Sequence, residues 1–518
     1  MQLQNVAGAV VCVVAVVFDA VAAQLDFRRP EIVPAPREMT YKPSVPVRID
    51  ASTEFAVRCP DAAAKAWIKS KASKWFGAAV RTRMADGREA GVEAPHEFGG
   101  EEGYSLVANP GRIEIAANTI KGVRLAMYTL RQAAERESGG AELKGYWLPA
   151  LKIRDEPALA FRGVHFCWFP ECSPVLIERQ IRFAAYCKFN YAVVECWGVF
   201  KSEKFPYLSL PDAFVTAKDL RRLSDVARDL GITLIPQLNV LGHAAQQRWC
   251  SGKHATLDFH PERQPLFEPG GGWNWCLSNP EAVKTVQGFV AELHDAFGRP
   301  PFFHIGCDEA DPPTCPVCRA AGAYAGLIES HIVAIADLLR RRGARAMMWH
   351  DMLLERDKWK PFVAKGSGDE AKMVDTLPKD IVICDYYYGN DPDKVARGGE
   401  VVSVEERPTL DYFAGKGFSV LACPWRDMKE IVDQSKYVRE RRLFGVLQTV
   451  WHRFRGLEFM QMMEAAASGA WGVEHEPVTR SGRPFAKHWR QIGWDMGVSR
   501  YEDAGFFDRQ ATRDILDR

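Results

Sequence analysis

The sequence carries almost no net charge, no apolar run of membrane-spanning length and no spaced framework of cysteines, and each absence removes a class of protein. Its 67 Lys and Arg balance 66 Asp and Glu to a formal charge of +1. No basic block interleaves with aromatics, so nucleic acid is excluded as a partner. The most apolar stretch, Ala7 to Phe18, is too short to span a bilayer. With the small-residue site Ala20-Val21-Ala22 behind it, residues 1–22 read as a signal peptide, which predicts export to the periplasm or beyond. Twelve of the 13 cysteines lie after that segment and are scattered, so the chain is not a disulfide scaffold. There is no Gly-rich dinucleotide fingerprint, no His-x-His and only one Cys-x-x-Cys.

What is present is a large core. At 518 residues, 47% hydrophobic and 26% charged, the chain can build two or three globular domains and is not disordered. Fifteen Trp and 14 Tyr supply aromatic faces, which either pack in a core or stack on sugars. Residues 24–157 mix alternating segments such as "PVRIDA" and "RIEIAAN" with the helical "IKGVRLAMYTLRQAAE", the pattern of a small α+β domain. From 158 to 472 the grammar changes to eight short apolar runs, at 161–167, 191–197, 233–239, 302–309, 345–351, 380–388, 418–426 and 444–451. Helical stretches separate them, one capped by Thr216 and Asp219 at its start and Gly231 at its end. Eight buried strands with helical crossovers over roughly 290 residues predict a (β/α)8 TIM barrel. Residues 473–518 form a C-terminal appendage without recognisable chemistry.

In such a barrel the chemistry sits at the carboxyl ends of the strands. The run ends carry Glu195, Asn239 with His243 beyond it, Asp308 and Glu309, Trp349 and Asp351, Asp385 and Tyr386, Trp425 and Arg426, and Trp451. Carboxylates, a histidine and aromatics converging on one mouth suit a polyhydroxylated ligand. By itself an Asp-Glu pair more often marks a solvated loop; here it closes an apolar run, "FFHIGCDE".

That run resembles the His-Ile-Gly-x-Asp-Glu signature of the family 20 β-N-acetylhexosaminidases. "IVPAPREMTY" resembles the opening of the family's N-terminal domain, "EPALAFRGVHF" its entry into the first barrel strand and "IPQLNVLGHA" its third-strand segment. "MMWHDML", "ICDYYYG" and "VLQTVWHR" are closest to the branch typified by hexosaminidase D. The resemblance implies an exo-acting, retaining hydrolase of terminal β-linked GlcNAc or GalNAc that uses no cofactor and no metal. Its nucleophile is the substrate's own 2-acetamido oxygen. Glu309 is then the general acid/base and Asp308 the group that orients the acetamido nitrogen. Adjacent strand residues normally point to opposite faces, so the pair needs a break in the pleat.

The resemblance further implies that Arg162 binds sugar hydroxyls, the alternative being a structural ion pair, and that His243 lines the mouth. It places Trp349, Tyr386 and Trp451 around the acetamido group, the alternative being core packing. Glu195, Asp351 and Asp385 complete the candidate substrate contacts; Glu195 or Asp351 acting as a protein nucleophile is the competing assignment. The sequence departs from the family at "VVECWGVF" and at Trp451-His452-Arg453, which leaves the choice between GlcNAc and GalNAc open. His304 is expected to be a structural hydrogen-bonder. "CPVC", Cys315 to Cys318, admits half of a zinc site, a redox pair or a local disulfide; export favours the disulfide. Two other functions compete: a metal-dependent hydrolase using histidines near strand ends (His165, His243, His304, His350), and a sugar-binding protein without catalysis.

Overall fold

The computed structural model describes residues 28–76, 80–84, 100–136, 145–170, 172–196, 198–245, 256–320, 324–389, 407–451 and 456–473. The expected signal peptide, and the appendage beyond 473, lie outside these. The chain divides into two compact units at Pro157/Ala158.

Among the described residues the first unit is a sheet with two helices. Its strands are β1 (Glu38–Ile49), β2 (Glu54–Arg58), β3 (Arg81–Met84), β4 (Tyr104–Asn109), β5 (Arg112–Ala117), β6 (Glu135–Arg136) and β7 (Tyr146–Asp155). They are ordered β1-β7-β4-β5-β2-β3, with β6 also on β7. Alternation in β5 is the reason it sits as it does: Ile113 and Ile115 are fully buried, and Arg112 and Glu114 are not. The helix Ile120–Ala133 begins at Thr119, whose side chain accepts the N–H of Lys121. Two buried hydroxyls and a carboxylate close this core, Tyr104 Oη lying 2.5 Å from Thr129 Oγ1 and donating to Asp155 (2.7 Å).

The second unit is the expected barrel. Strands β8 (Phe161–Trp168), β9 (Tyr191–Cys196), β10 (Thr233–Gln237), β11 (Phe302–His304), β12 (Arg345–Trp349), β13 (Val382–Asp385), β14 (Ser419–Ala422) and β15 (Gly445–Thr449) close on themselves, every pair parallel. Each matches one of the eight apolar runs. Buried on both faces, β8 shows no exposed position at all, which is why the strands read as continuous apolar runs. The crossover helix Ala217–Leu230 has the capping box of Thr216 and Asp219 and ends at Gly231 in the left-handed conformation. Among the described residues no helix is long and apolar enough to cross a membrane.

Candidate active site

β11 is the shortest barrel strand, and the cause lies in the next five residues. Gly306 (φ 66°), Cys307 (φ 72°) and Glu309 (φ 52°) all take left-handed backbone angles. For Cys307 and Glu309 that conformation is strained and persists only because the surroundings impose it. His304 Nδ1 accepts the N–H of Gly306, bending the chain as the strand ends (3.1 Å). His304 is therefore a structural hydrogen-bonder. A Cβ on Gly306 would stand 2.3 Å from Asn239 Oδ1, and one on Gly242 would stand 2.5 Å from the Asp308 carbonyl, so both positions require glycine. The pleat is broken at the place where two adjacent carboxylates must serve one site.

Asp308 is buried, at 5% exposure, and its Oδ1 accepts the side-chain N–H of Asn239 at 2.6 Å. His243, itself at φ 56°, places Nε2 3.2 Å from Asp308 and 3.6 Å from Glu309. Nε2 makes no hydrogen bond among the described residues. The His243 ring rests on Trp273, centroids 4.1 Å apart, and Trp273 donates its indole N–H to the Glu309 carbonyl (2.7 Å). The Glu309 side chain is 42% exposed, with Lys365 Nζ at 3.7 Å. It opens on a cleft of about 600 Å³ lined by Asp311, Arg356, Lys360 and Lys365.

Asp351 is fully buried, and its Oδ2 accepts the backbone N–H of Glu309 at 2.8 Å. Burial, and then the neighbouring Asp308, push its carboxyl well above the usual 3.8. With no exposed surface and its oxygen engaged by the Glu309 N–H, Asp351 is placed to position the Glu309 backbone rather than to meet a sugar, which weighs against it in the two-carboxylate assignment.

Trp349, Tyr386 and Trp451 form an aromatic wall beside this cluster, with ring centroids 5.4 Å apart for Trp349 and Tyr386 and 5.5 Å for Trp349 and Trp451. Trp451 donates its indole N–H to Tyr388 Oη (2.6 Å). Trp349 Nε1 and Tyr386 Oη are buried and have no hydrogen-bond partner among the described residues. Burial, with Asp351, Glu309 and Asp308 adding to it, raises the Tyr386 phenol well above its usual value, so it remains a donor. The Trp349 and Tyr386 rings both belong to the buried core of the barrel, with Trp451 packed against it, so the core-packing alternative holds for their faces while two polar donors in it stay unused.

The remaining candidates fall elsewhere. Arg162 does not reach the mouth: it lies at the opposite, amino-terminal end of β8, donates to the carbonyls of Lys188 (3.1 Å) and Leu159 (2.8 Å), and stacks on Trp471. Its position at the start of its strand already placed it at the wrong end of a parallel barrel. Glu195, at 2% exposure, is turned to His165 (3.7 Å) and Cys167 (3.6 Å) on the neighbouring strand. These three offer ligand atoms within 4.8 Å of one another, the one cluster in the barrel interior where a metal reading has donors among the described residues. Asp385 faces His350 (3.6 Å) and accepts the N–H of Tyr387; His350 Nδ1 in turn accepts the N–H of Tyr386. It supports Tyr386 from behind.

Trp273, Lys365 and Tyr388 lie in long loops or beyond strand ends, and no spacing marked them. Asn239 was visible as a strand end, without its bond to Asp308. Every cysteine described is a free thiol, so the disulfide expected between Cys315 and Cys318 is absent.

Comparison with known proteins agrees with this geometry. Residues 29–156 match glycosyl hydrolase family 20, domain 2, and residues 196–398 match the glycosyl hydrolase family 20 catalytic domain. A β-hexosaminidase of Porphyromonas gingivalis is 25% identical over 295 residues, 49% of this chain and 36% of the relative. The human β-hexosaminidase subunit beta is 23% identical over 284 residues, 50% of this chain and 49% of its own. The chain thus spans half or less of the length of these curated relatives. In fold it is similar to a Vibrio harveyi GH20 exo-β-N-acetylglucosaminidase solved with N-acetylglucosamine (TM-score 0.64, 17% identity, 91% of this chain and 79% of that one). A Streptomyces plicatus N-acetyl-β-hexosaminidase aligns equally well (TM-score 0.64, 16% identity, 91% and 98%). Because the two domain matches follow one another in order, take in more than half of the residues, and include the broken strand end that carries Asp308 and Glu309, the chain belongs to glycosyl hydrolase family 20.

Proposed function

We propose that the protein is an exo-acting β-N-acetylhexosaminidase that removes terminal β-linked GlcNAc or GalNAc with retention, the substrate's acetamido group acting as nucleophile. The observation that carries this is the broken strand end that presents the Asp308-Glu309 pair, with Asp308 held by Asn239 and with Tyr386 Oη and Trp349 Nε1 left as buried donors without a partner among the described residues. Asp308, held by Asn239, accepts the acetamido N–H and stabilises the positive charge that grows as the carbonyl oxygen closes on the anomeric carbon. Tyr386 orients that carbonyl. Glu309 gives its proton to the departing oxygen, then takes one from the water that opens the oxazolinium ring. The greater exposure of Glu309, at the open cleft, suits the partner of an aglycone and of water.

Within the family, "MMWHDML", "ICDYYYG" and "VLQTVWHR" support a place in the hexosaminidase D-like branch. Export through the leader at 1–22 is part of the same reading, checked by the amino terminus of the mature protein. A panel of aryl glycosides tests the activity: release from β-GlcNAc or β-GalNAc and none from β-glucoside is expected. Equal turnover of the plain glucoside would refute substrate assistance. Loss of activity to a chelator, reversed by metal in the wild type, together with loss of that metal in Glu195→Gln, would instead point to His165, Cys167 and Glu195.

A further inference from the structure

Cys315 and Cys318 are not alone. The loop that carries Glu309 runs beside the segment 266–279, and the two are joined by side-chain to backbone bonds. Asn274 Nδ2 donates to the Asp311 carbonyl (2.6 Å), and Asn274 Oδ1 accepts the Asp311 N–H (3.1 Å). Glu268 Oε2 accepts the N–H groups of Thr314 (2.8 Å) and Cys315 (2.6 Å). At the end of this seam a third thiol, Cys276, meets the pair, its Sγ 3.9 Å from that of Cys318. Glu268, Cys276, Cys315 and Cys318 each bring one ligand atom within 4.8 Å of all the others.

The spacing is informative. A disulfide holds its sulfurs at about 2.05 Å, whereas tetrahedral zinc with Zn–S bonds of about 2.3 Å sets them near 3.8 Å apart. Glu268 is 4% exposed, and its Oε1 has no hydrogen-bond partner among the described residues although Oε2 has several. The Cys318 thiol is the side-chain neighbour of this carboxylate, and a buried carboxylate set among three weak S–H donors is a group that a cation completes. Backbone N–H groups of Cys318 and Val317 are directed at the Cys315 sulfur. Ser278 Oγ lies 3.1 Å from the Cys318 sulfur and 3.6 Å from that of Cys315, placed to support the ligands from behind.

We propose that Glu268, Cys276, Cys315 and Cys318 form a structural zinc site that clips the Glu309 loop to the segment 266–279. Three sulfurs and one carboxylate oxygen make a closed tetrahedral set with no open position for water, the mark of a structural site. Binding releases the thiol protons to solvent, Glu268 enters as the carboxylate, and no electron changes hands. The site is separate from the proposed hydrolytic chemistry and stands whether or not that reading holds.

The test uses the full chain, purified reduced and without chelator. Elemental analysis is expected to find one zinc per chain, and protein stripped and reloaded with Co²⁺ is expected to show thiolate-to-cobalt charge transfer with tetrahedral d–d bands. Stripping is expected to lower Tm, and zinc to restore it. Cys276→Ser and the double variant Cys315→Ser/Cys318→Ser should lose the metal, while Cys59→Ser and Glu309→Gln should keep it. Because the cobalt spectrum is read on the unaltered sequence, misfolding of a variant does not decide the matter. Folded protein that takes up neither metal, a disulfide between any two of the three cysteines in the reduced preparation, or metal retained by folded cysteine variants would each overturn the proposal.

Discussion

Asn239→Ala isolates what the environment of Asp308 contributes. Both side chains are buried, at 1% and 5% exposure, and they share a 2.6 Å bond from the amide N–H to the carboxylate. Removing the donor deprives a buried charge of a charge-assisted bond, a loss of about 1.5–3 kcal/mol. At about 1.4 kcal/mol per tenfold in rate, that predicts a fall in kcat/KM on the order of 10- to 150-fold. The loss should be shared by every substrate, because Asp308 acts during closure of the acetamido oxygen on the anomeric carbon. Asp308→Asn should behave likewise. Glu309→Gln should differ: it removes the proton donor, worth about 10²–10⁴-fold, and should hurt a disaccharide far more than an activated aryl glycoside. The assay is kcat/KM for the three variants on one aryl glycoside and one disaccharide. A leaving-group dependence that appeared in Asn239→Ala and Asp308→Asn instead of in Glu309→Gln would show that the roles of Asp308 and Glu309 are reversed; no loss at all in Asn239→Ala would refute the role of the Asn239 bond.

Two further outcomes follow from buried groups. Asp351 has its folded pKa raised, so the folded state binds its proton more tightly than the unfolded chain does, and stability is lost as pH rises above the usual 3.8 toward the folded value; Asp351→Asn, which still accepts the Glu309 N–H, should flatten the fall of Tm across that window, and an unchanged Tm profile would refute the shift. Arg162→Met should lower stability by about 1–3 kcal/mol through the orphaned carbonyls of Lys188 and Leu159, measured by denaturant unfolding, with KM for the aryl glycoside unchanged; a raised KM would restore Arg162 to the site.

Much of the molecule was legible along the chain because its information is local. Burial on both faces makes each barrel strand a continuous apolar run, and the caps at Thr216 and Gly231 mark a helix by their own chemistry. The pair Asp308-Glu309 stood out because two charges end such a run. What the chain could not show is anything that depends on contacts between distant segments. Asn239 meets Asp308 across 69 residues, and Asp351 meets Glu309 across 42. Arg162 was misplaced because a resemblance of residues does not say which end of a strand a side chain serves; in a parallel barrel that end decides everything. The motif Cys315-Pro-Val-Cys318 looked like half a site because its other donors, Cys276 and Glu268, lie in a separate loop. Metal ligands need only converge in space, and sequence separation costs a folded chain little once its core has already been closed.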